Sequence, residues 1–306
     1  MPDATTPPGA GRYAPSPSGD LHLGNLRTAL LAWVLARRTG RAFRLRVEDL
    51  DRVKEGSEQR QLEDLTALGL DWDGAVVRQS ERGPSYAEAI AALEDQGRVF
   101  ECYCTRREIL EAPSAPHAPP GAYPGTCRDL GAAAREQGRV RMHELRREPA
   151  LRLRTDVASW QVQDLWAGEV TGTVDDLVLR RGDGVVAYNL AVVVDDAAAG
   201  VDQVVRADDL LSSAPRQAHL AHLLGLAEPG YAHVPLAVNA EGARLAKRDG
   251  AVTLRDRRER GEAAAEVVEQ IGHSLGVVGC RSAHDLLERW DPATLPRHPW
   301  TVELPH

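Results

Sequence analysis

Over residues 11–96, strand-like and helix-like segments take turns, and few architectures tolerate that rhythm. Gly11–Ala14 reads as a short strand running into a Pro/Ser/Gly turn, Pro15–Gly19. From Leu26 to Arg38 the apolar residues Leu26, Leu30, Trp33 and Val34, with Ala29, recur at helical spacing. Phe43–Val47 reads as the next strand, ending in the acid-rich turn Glu48-Asp49-Leu50-Asp51. Ser57 is placed to cap a helix reaching Leu68, and Pro84–Gln96 reads as another helix. Such alternation predicts an α/β fold with a mostly parallel sheet.

The rhythm breaks at Cys102. Prolines at 113, 116, 119, 120 and 124 exclude helix and central strand from that stretch. It resumes near Gly184 with a strand at Val185–Ala187, a helix at Tyr188–Ala198, a strand at Val201–Val205 and a helix at Pro215–Leu224. The expected organisation is a catalytic-type sheet domain in two halves, 12–100 and 184–228, split by an insertion at 101–183. Residues 1–11 form a Pro/Gly-rich tail expected to be disordered. Residues 229–306 hold a strand at Val234–Val238, a basic loop, helix around Ala263–Gly272 and a Pro/Trp-rich end.

A chain of 306 residues with formal net charge −8 is not broadly basic, so phosphate would have to be met by local patches. One candidate is Arg135, Arg139, Arg141, Arg146, Arg147, Arg152 and Arg154; a solvated arginine-rich face explains it equally well. Apolar runs such as Ala191–Val194 stop at acids well short of a membrane span, and no signal-peptide core leads the chain, so a cytoplasmic location is expected. Three of the four cysteines, Cys102, Cys104 and Cys127, lie close together in sequence. In a cytoplasmic chain that spacing favours a metal site over disulfides. Cys280 stands alone and is expected to be structural.

The turn between the first strand and first helix, RYAPSPSGDLHLGN at 12–25, sits where α/β sheets bind ligands. Free N–H groups at the helix start suit phosphate. Gly24 would let a phosphate or adenine approach the backbone, and His22 can donate to a phosphate oxygen. The string resembles the opening of class I glutamyl-tRNA synthetases, whose "HIGH" motif here reads His22-Leu23-Gly24-Asn25. The resemblance continues, in family order, through LRVED (45–49), QSER (79–82), YNLAVVVDD (188–196) and RADDLL (206–211). A second signature, Arg244-Leu245-Ala246-Lys247-Arg248, resembles a degenerate "KMSKS" loop; Ala246 lacks the usual hydroxyl and Arg248 stands where a second serine is expected.

The resemblance implies a Rossmann-like catalytic domain split by a zinc-containing, acceptor-binding insertion. It implies ATP as substrate, with Mg²⁺ carried mainly by its phosphates, and L-glutamate as the activated amino acid. His22 and Lys247 are the candidate catalytic residues, and His22, Gly24, Asn25 and Lys247 the candidate ATP contacts. Arg12, Tyr13, Ala14, Pro15, Ser16, Glu48, Tyr188 and Arg206 are the candidate glutamate site. Arginine suits carboxylates and Glu48 suits the ammonium. For the metal, His117 is the conventional fourth ligand beside the thiols. The resemblance instead selects Tyr123, giving Cys102, Cys104, Tyr123 and Cys127 as a zinc set.

After the lysine loop too few residues remain for the anticodon-binding domain of a full-length family member. That pattern is similar to a shortened paralogue that joins glutamate to queuosine at the wobble position of tRNA(Asp). The expected partners are therefore glutamate, ATP and queuosine-containing tRNA(Asp), with no membrane and a monomeric chain. Three other readings stay open on sequence: a shortened enzyme charging the tRNA 3′ end, a non-catalytic tRNA-binding paralogue, and transfer of glutamate to another acceptor such as a carrier protein.

Overall fold

The computed structural model describes residues 9–111, 123–245 and 252–303. The chain begins with β1 (Ala10–Tyr13), α1 (Leu23–Arg38), β2 (Ala42–Val47), α2 (Ser57–Ala67), β3 (Val77–Arg78) and α3 (Gly83–Asp95). Next come β4 (Val99–Cys102), α4 (Arg106–Glu111), α5 (Ala132–Glu144), β5 (Ala150–Leu153), β6 (Ser159–Asp164), β7 (Gly168–Thr173) and β8 (Val178–Arg180). The α/β pattern returns with α6 (Tyr188–Ala198), β9 (Val201–Ala207), α7 (Ala214–Leu223), β10 (Gly230–Val234) and β11 (Ala237–Val238). The last elements are α8 (Leu254–Glu259), α9 (Ala264–Ser274), α10 (Ala283–Arg289) and β12 (Trp300–Thr301).

The main sheet has the order β3-β2-β1-β9-β10-β6-β7. All neighbours are parallel except the β6–β7 hairpin, so the alternation seen in sequence does encode a mostly parallel sheet. Helix α1 packs against this sheet and is buried almost all round, with Leu23, Leu26, Leu30, Leu31 and Val34 sealed from solvent. Its other face meets Val267, Val268, Ile271, Leu286 and Trp290 of the C-terminal region, in one continuous apolar core. A small antiparallel sheet, β4-β5-β8, stands apart. Among the described residues, no helix is long and apolar enough to cross a membrane.

Several local expectations change. The first strand starts at Ala10, inside the segment read as tail, because Ala10 is buried and its N–H donates to Gly200. Ser57 is not the cap of α2: Gly56 takes that place in a left-handed conformation (φ 70°), while the buried Ser57 hydroxyl accepts from Arg60 at 3.2 Å. Val185–Ala187 is no sheet strand. It folds back on β8 through a single bridge, Arg180 to Val186, and Ala187 becomes the N-cap of α6. The strand expected at Val234–Val238 is cut by Pro235, which has no N–H to continue the ladder. Its second piece, β11, pairs with β12 from the Pro/Trp-rich end, which is therefore a strand rather than a loose tail.

The largest departure lies within residues 101–183. There β6 and β7 leave the small sheet and extend the main one, β6 lying parallel to β10. Trp160, Val162 and Val170 pack with Val201, Val204, Ala214, Ala218 and Tyr231, so burial of this alternating face drives the pairing.

Because α1 is enclosed on both sides, Leu30→Ala should lower unfolding free energy by about 2–5 kcal/mol. Val278→Ala, at an exposed position, should change it by less than about 0.5 kcal/mol. Denaturant midpoints measured at equal slope check both.

Candidate active site

Parallel strands β1, β2 and β9 finish at one edge of the sheet, and a cavity of about 920 Å³ opens there. Arg12, Tyr13, Ala14, Pro15 and Ser16 line it from β1 and the following turn. His22 and Asn25 enter from the start of α1, Glu48 from the end of β2, Tyr188 from the start of α6 and Arg206 from β9. The turn is held in place by hydrogen bonds that reach it from two sides. Pro15 and Pro17 carbonyls accept from Glu48 and Lys54, while the Gln61 amide on α2 donates to Ser16 at 3.0 Å and Gly19 at 2.6 Å.

His22 is the N-cap of α1. Its Nδ1 accepts from the Asn25 N–H, and the Asn25 side chain accepts from the His22 N–H, both at 3.3 Å. With Nδ1 used as an acceptor, the proton of the neutral ring sits on Nε2. Burial, helped by nearby Arg244, lowers the His22 pKa to about 4. The residue therefore offers a neutral N–H donor at pH 7, suited to a phosphate oxygen. Gly24, expected to face the ligand, does not line the cavity. A Cβ there would meet Ala237 and the His22 ring at 3.0 Å, so its smallness serves close packing that fixes the histidine.

Beneath the cavity floor lies a buried charge network. Arg12 Nε pairs with Asp196 at 3.4 Å and its Nη1 donates to the Val205 carbonyl at 3.0 Å. Arg46 bridges Asp196 and Glu48, the latter at 3.2 Å. Asp195 accepts from Gln79 (3.0 Å), Arg82 (3.1 Å) and Tyr86 (2.7 Å). Burial opposes charge on Asp196, but Arg46 and Arg12 outweigh it and hold the carboxyl below its ordinary range. For Glu48 burial wins over the same arginines and raises its pKa. Arg46 and Asp196 were legible in the sequence as parts of matching blocks, yet their role as partners of Glu48 and Arg12 was not.

Arg206 is held differently. Its Nε donates to His233 Nε2 (2.9 Å), Nη1 to Gln217 Oε1 (2.7 Å) and Nη2 to the Leu210 carbonyl (3.2 Å). Burial lowers its pKa from the usual arginine value.

Lys247 and its neighbours Ala246 and Arg248 lie outside the described residues, as does His117. The described flanks of that loop converge beside His22. Arg244 lines the cavity and pairs with Asp209 at 2.9 Å, while the Leu23 N–H donates to Val252 and His22 bridges Thr253.

The ligand atoms of Cys102, Cys104 and Cys127 all lie within 4.8 Å of one another, a donor cluster able to hold a metal ion. The Tyr123 hydroxyl accepts from the Cys127 N–H at 2.8 Å, and the Arg152 guanidinium lies 3.8 Å over the Tyr123 ring. Hydrogen bonding from Cys127 lowers the Cys102 pKa to about 5. The neighbouring arginine stretch is largely committed. Arg139, Arg141 and Arg154 pair with Glu101, Glu108 and Asp129, and Arg152 is buried. Arg135, Arg146 and Arg147 of the same stretch are exposed.

Residues 10–277 match the family model for the catalytic domain of class I tRNA synthetases (E and Q). A glutamyl-Q tRNA(Asp) synthetase from Nocardia farcinica is 61% identical over 98% of this chain and 94% of its own length. One from Cutibacterium acnes is 52% identical over 91% of this chain and 79% of its own. Among solved structures, a glutamate tRNA ligase from Elizabethkingia meningosepticum, in complex with its amino acid, superposes with a TM-score of 0.80 at 24% identity. That match covers 96% of this chain and 66% of the other, a likeness of fold.

The depressed His22 pKa has a measurable consequence. Between pH 6.5, the ordinary histidine value, and about pH 4 the unfolded chain binds a proton at this position that the folded one does not. Stability from His22 is therefore complete above that window and is lost as pH falls through it. The stability difference between wild type and His22→Gln should shrink from pH 7 to pH 4.5, and equal differences in denaturant titrations at both pH values would contradict this.

Proposed function

The chain belongs to the class I glutamyl/glutaminyl-type tRNA synthetase family, and from that premise we infer that it adenylates glutamate with ATP and transfers it to queuosine at the wobble position of tRNA(Asp). The observation that carries this reading is the near full-length match to glutamyl-Q tRNA(Asp) synthetases, and a cavity lined by Arg12, His22, Glu48, Tyr188 and Arg206 supports it.

In the first step a glutamate α-carboxylate oxygen attacks the α-phosphorus of ATP and pyrophosphate leaves. The protein forms no covalent bond, so its contribution is position and charge. Neutral His22 donates from Nε2 to a phosphate oxygen, and Lys247 supplies a cation to the phosphates from the loop whose flanks meet beside His22. Arg12 and Arg206 take the carboxylates, Glu48 the ammonium, and the Tyr188 hydroxyl adds a hydrogen bond. Mg²⁺ accompanies the nucleotide. In the second step a hydroxyl of the queuosine cyclopentenediol attacks the acyl carbon and AMP departs. The neighbouring hydroxyls of that ring offer the same chemistry as a terminal ribose.

Zinc fits the thiol cluster, with Tyr123 as fourth ligand. Three thiols and a phenol in contact form a closed set, so the metal would staple the insertion and take no part in either step. Metal content should be near one zinc per chain and fall on Cys102→Ser. Tyr123→Phe should weaken retention against a chelator while His117→Ala leaves it unchanged; the opposite ranking would assign the histidine.

Two measurements address the activity. Glutamate-dependent ATP–pyrophosphate exchange should proceed without tRNA, and Lys247→Ala should slow it by roughly 10²–10³, the scale of losing one charge-stabilising donor. Labelled glutamate should then appear on the anticodon stem-loop released by ribonuclease, only when the tRNA carries queuosine. Label on the 3′-terminal adenosine would make the chain a shortened conventional synthetase.

A further inference from the structure

The two candidate carboxylate-binding arginines differ in electrostatic state. Arg12 already faces Asp196 in a buried ion pair, so part of its charge is met within the protein. Among the described residues, Arg206 makes its hydrogen bonds to a ring nitrogen, an amide oxygen and a backbone carbonyl, and no carboxylate pairs with it. A buried guanidinium without an anionic partner, lining a cavity, is an unfinished ion pair.

Its direction is set by a chain of hydrogen bonds from outside the cavity. Asp164, at the end of β6, uses Oδ1 to accept the N–H groups of Trp166 (2.9 Å) and Ala167 (2.8 Å). Its Oδ2 accepts the His233 N–H (3.0 Å) and meets His233 Nδ1 at 2.7 Å. With all other contacts donating, Nδ1 must carry the ring proton, which leaves Nε2 as the acceptor for Arg206. On the opposite side, Gln217 has its amide fixed by donating to Asn189 at 3.0 Å, so its oxygen is turned to Arg206.

We propose that Asp164 and His233 are positioning residues for Arg206, fixing the imidazole tautomer that holds this guanidinium in place as the site's open charge for a glutamate carboxylate. The inference rests on reading the cavity as a glutamate-activating site. In Asp164→Asn an NH₂ group replaces one acceptor oxygen. If it faces His233, the ring must move its proton to Nε2, and two donors then oppose each other at Arg206. If it faces Trp166 and Ala167, the same conflict falls on the turn that carries residue 164.

The test is ATP–pyrophosphate exchange with the full chain, varying glutamate and ATP separately, alongside thermal melts. Asp164→Asn and His233→Leu should raise the glutamate KM by about tenfold or more and leave the ATP KM within about twofold. His233→Gln, whose amide oxygen can accept from Arg206, should keep the glutamate KM within about threefold of wild type. Glutamate KM values unmoved in both folded Asp164→Asn and folded His233→Leu, or parallel rises in both KM values, overturn the relay. Should Asp164→Asn fail to fold, equal glutamate KM values in the two His233 variants overturn it. Wild-type exchange that ignores glutamate would overturn the activity reading and this inference with it, whereas normal wild-type exchange with unmoved variants removes the relay alone.

Discussion

The pairing of Arg12 and Arg46 with Asp196 beneath the cavity is the constraint on which the rest of the site depends. All three side chains are buried, and a charge taken out of water is tolerated only where its partner is already in place. Arg12 stands on β1, Arg46 on β2 and Asp196 on α6, so residues 48–187 separate the two strands from the helix in sequence. Satisfying these charges therefore requires the two halves of the sheet to meet in one register. Removing one partner would strand the others, a cost of about 3–5 kcal/mol in comparable buried pairs. The same network leaves Glu48 held by Arg46 at the cavity wall, so the fold's electrostatic closure and the shape of the site have one origin.

Around that fixed floor, the functional groups are held by local geometry. His22 is a helix cap before it is anything else, and the cap dictates which ring nitrogen keeps a free proton. Gly24 matters because a larger residue would push on that ring. The C-terminal helices contribute from the far side. Arg27 of α1 reaches Ser274 at 3.1 Å and the Pro235 carbonyl at 2.8 Å, tying the helix that carries His22 to both α9 and the link after β10. Chemistry at the cavity thus draws on contacts well outside it.

The parallel sheet, α1 and the clustering of Arg12, Glu48, Tyr188 and Arg206 were legible because strand–helix alternation and ordered motif blocks carry them. Partnerships were not legible. Nothing local in Asp195-Asp196 says that one carboxylate serves Gln79, Arg82 and Tyr86 while the next serves Arg12 and Arg46. In the C-terminal region Thr253 with Asp256 and Ser282 with Asp285 are capping pairs whose spacing is visible in the sequence. Pairing of Trp300–Thr301 with Ala237–Val238 depends on a strand broken by Pro235, which periodicity alone reads as continuous.

The β6–β7 hairpin shows why a sequence interruption is not a separable module. Prolines and clustered cysteines make residues 101–183 look foreign to the sheet, and β4, β5 and β8 do form a sheet of their own. Yet Ser159–Asp164 alternates exposed and buried residues, and its apolar face completes the core against α7. Once β6 lies beside β10, Asp164 arrives opposite Tyr231, two residues before His233. That register brings the carboxylate to the imidazole, and the imidazole to Arg206 on β9. A strand added for burial therefore also fixes a charge in the cavity. Residues 159–173 thus reach the cavity through the sheet that β6 and β7 extend.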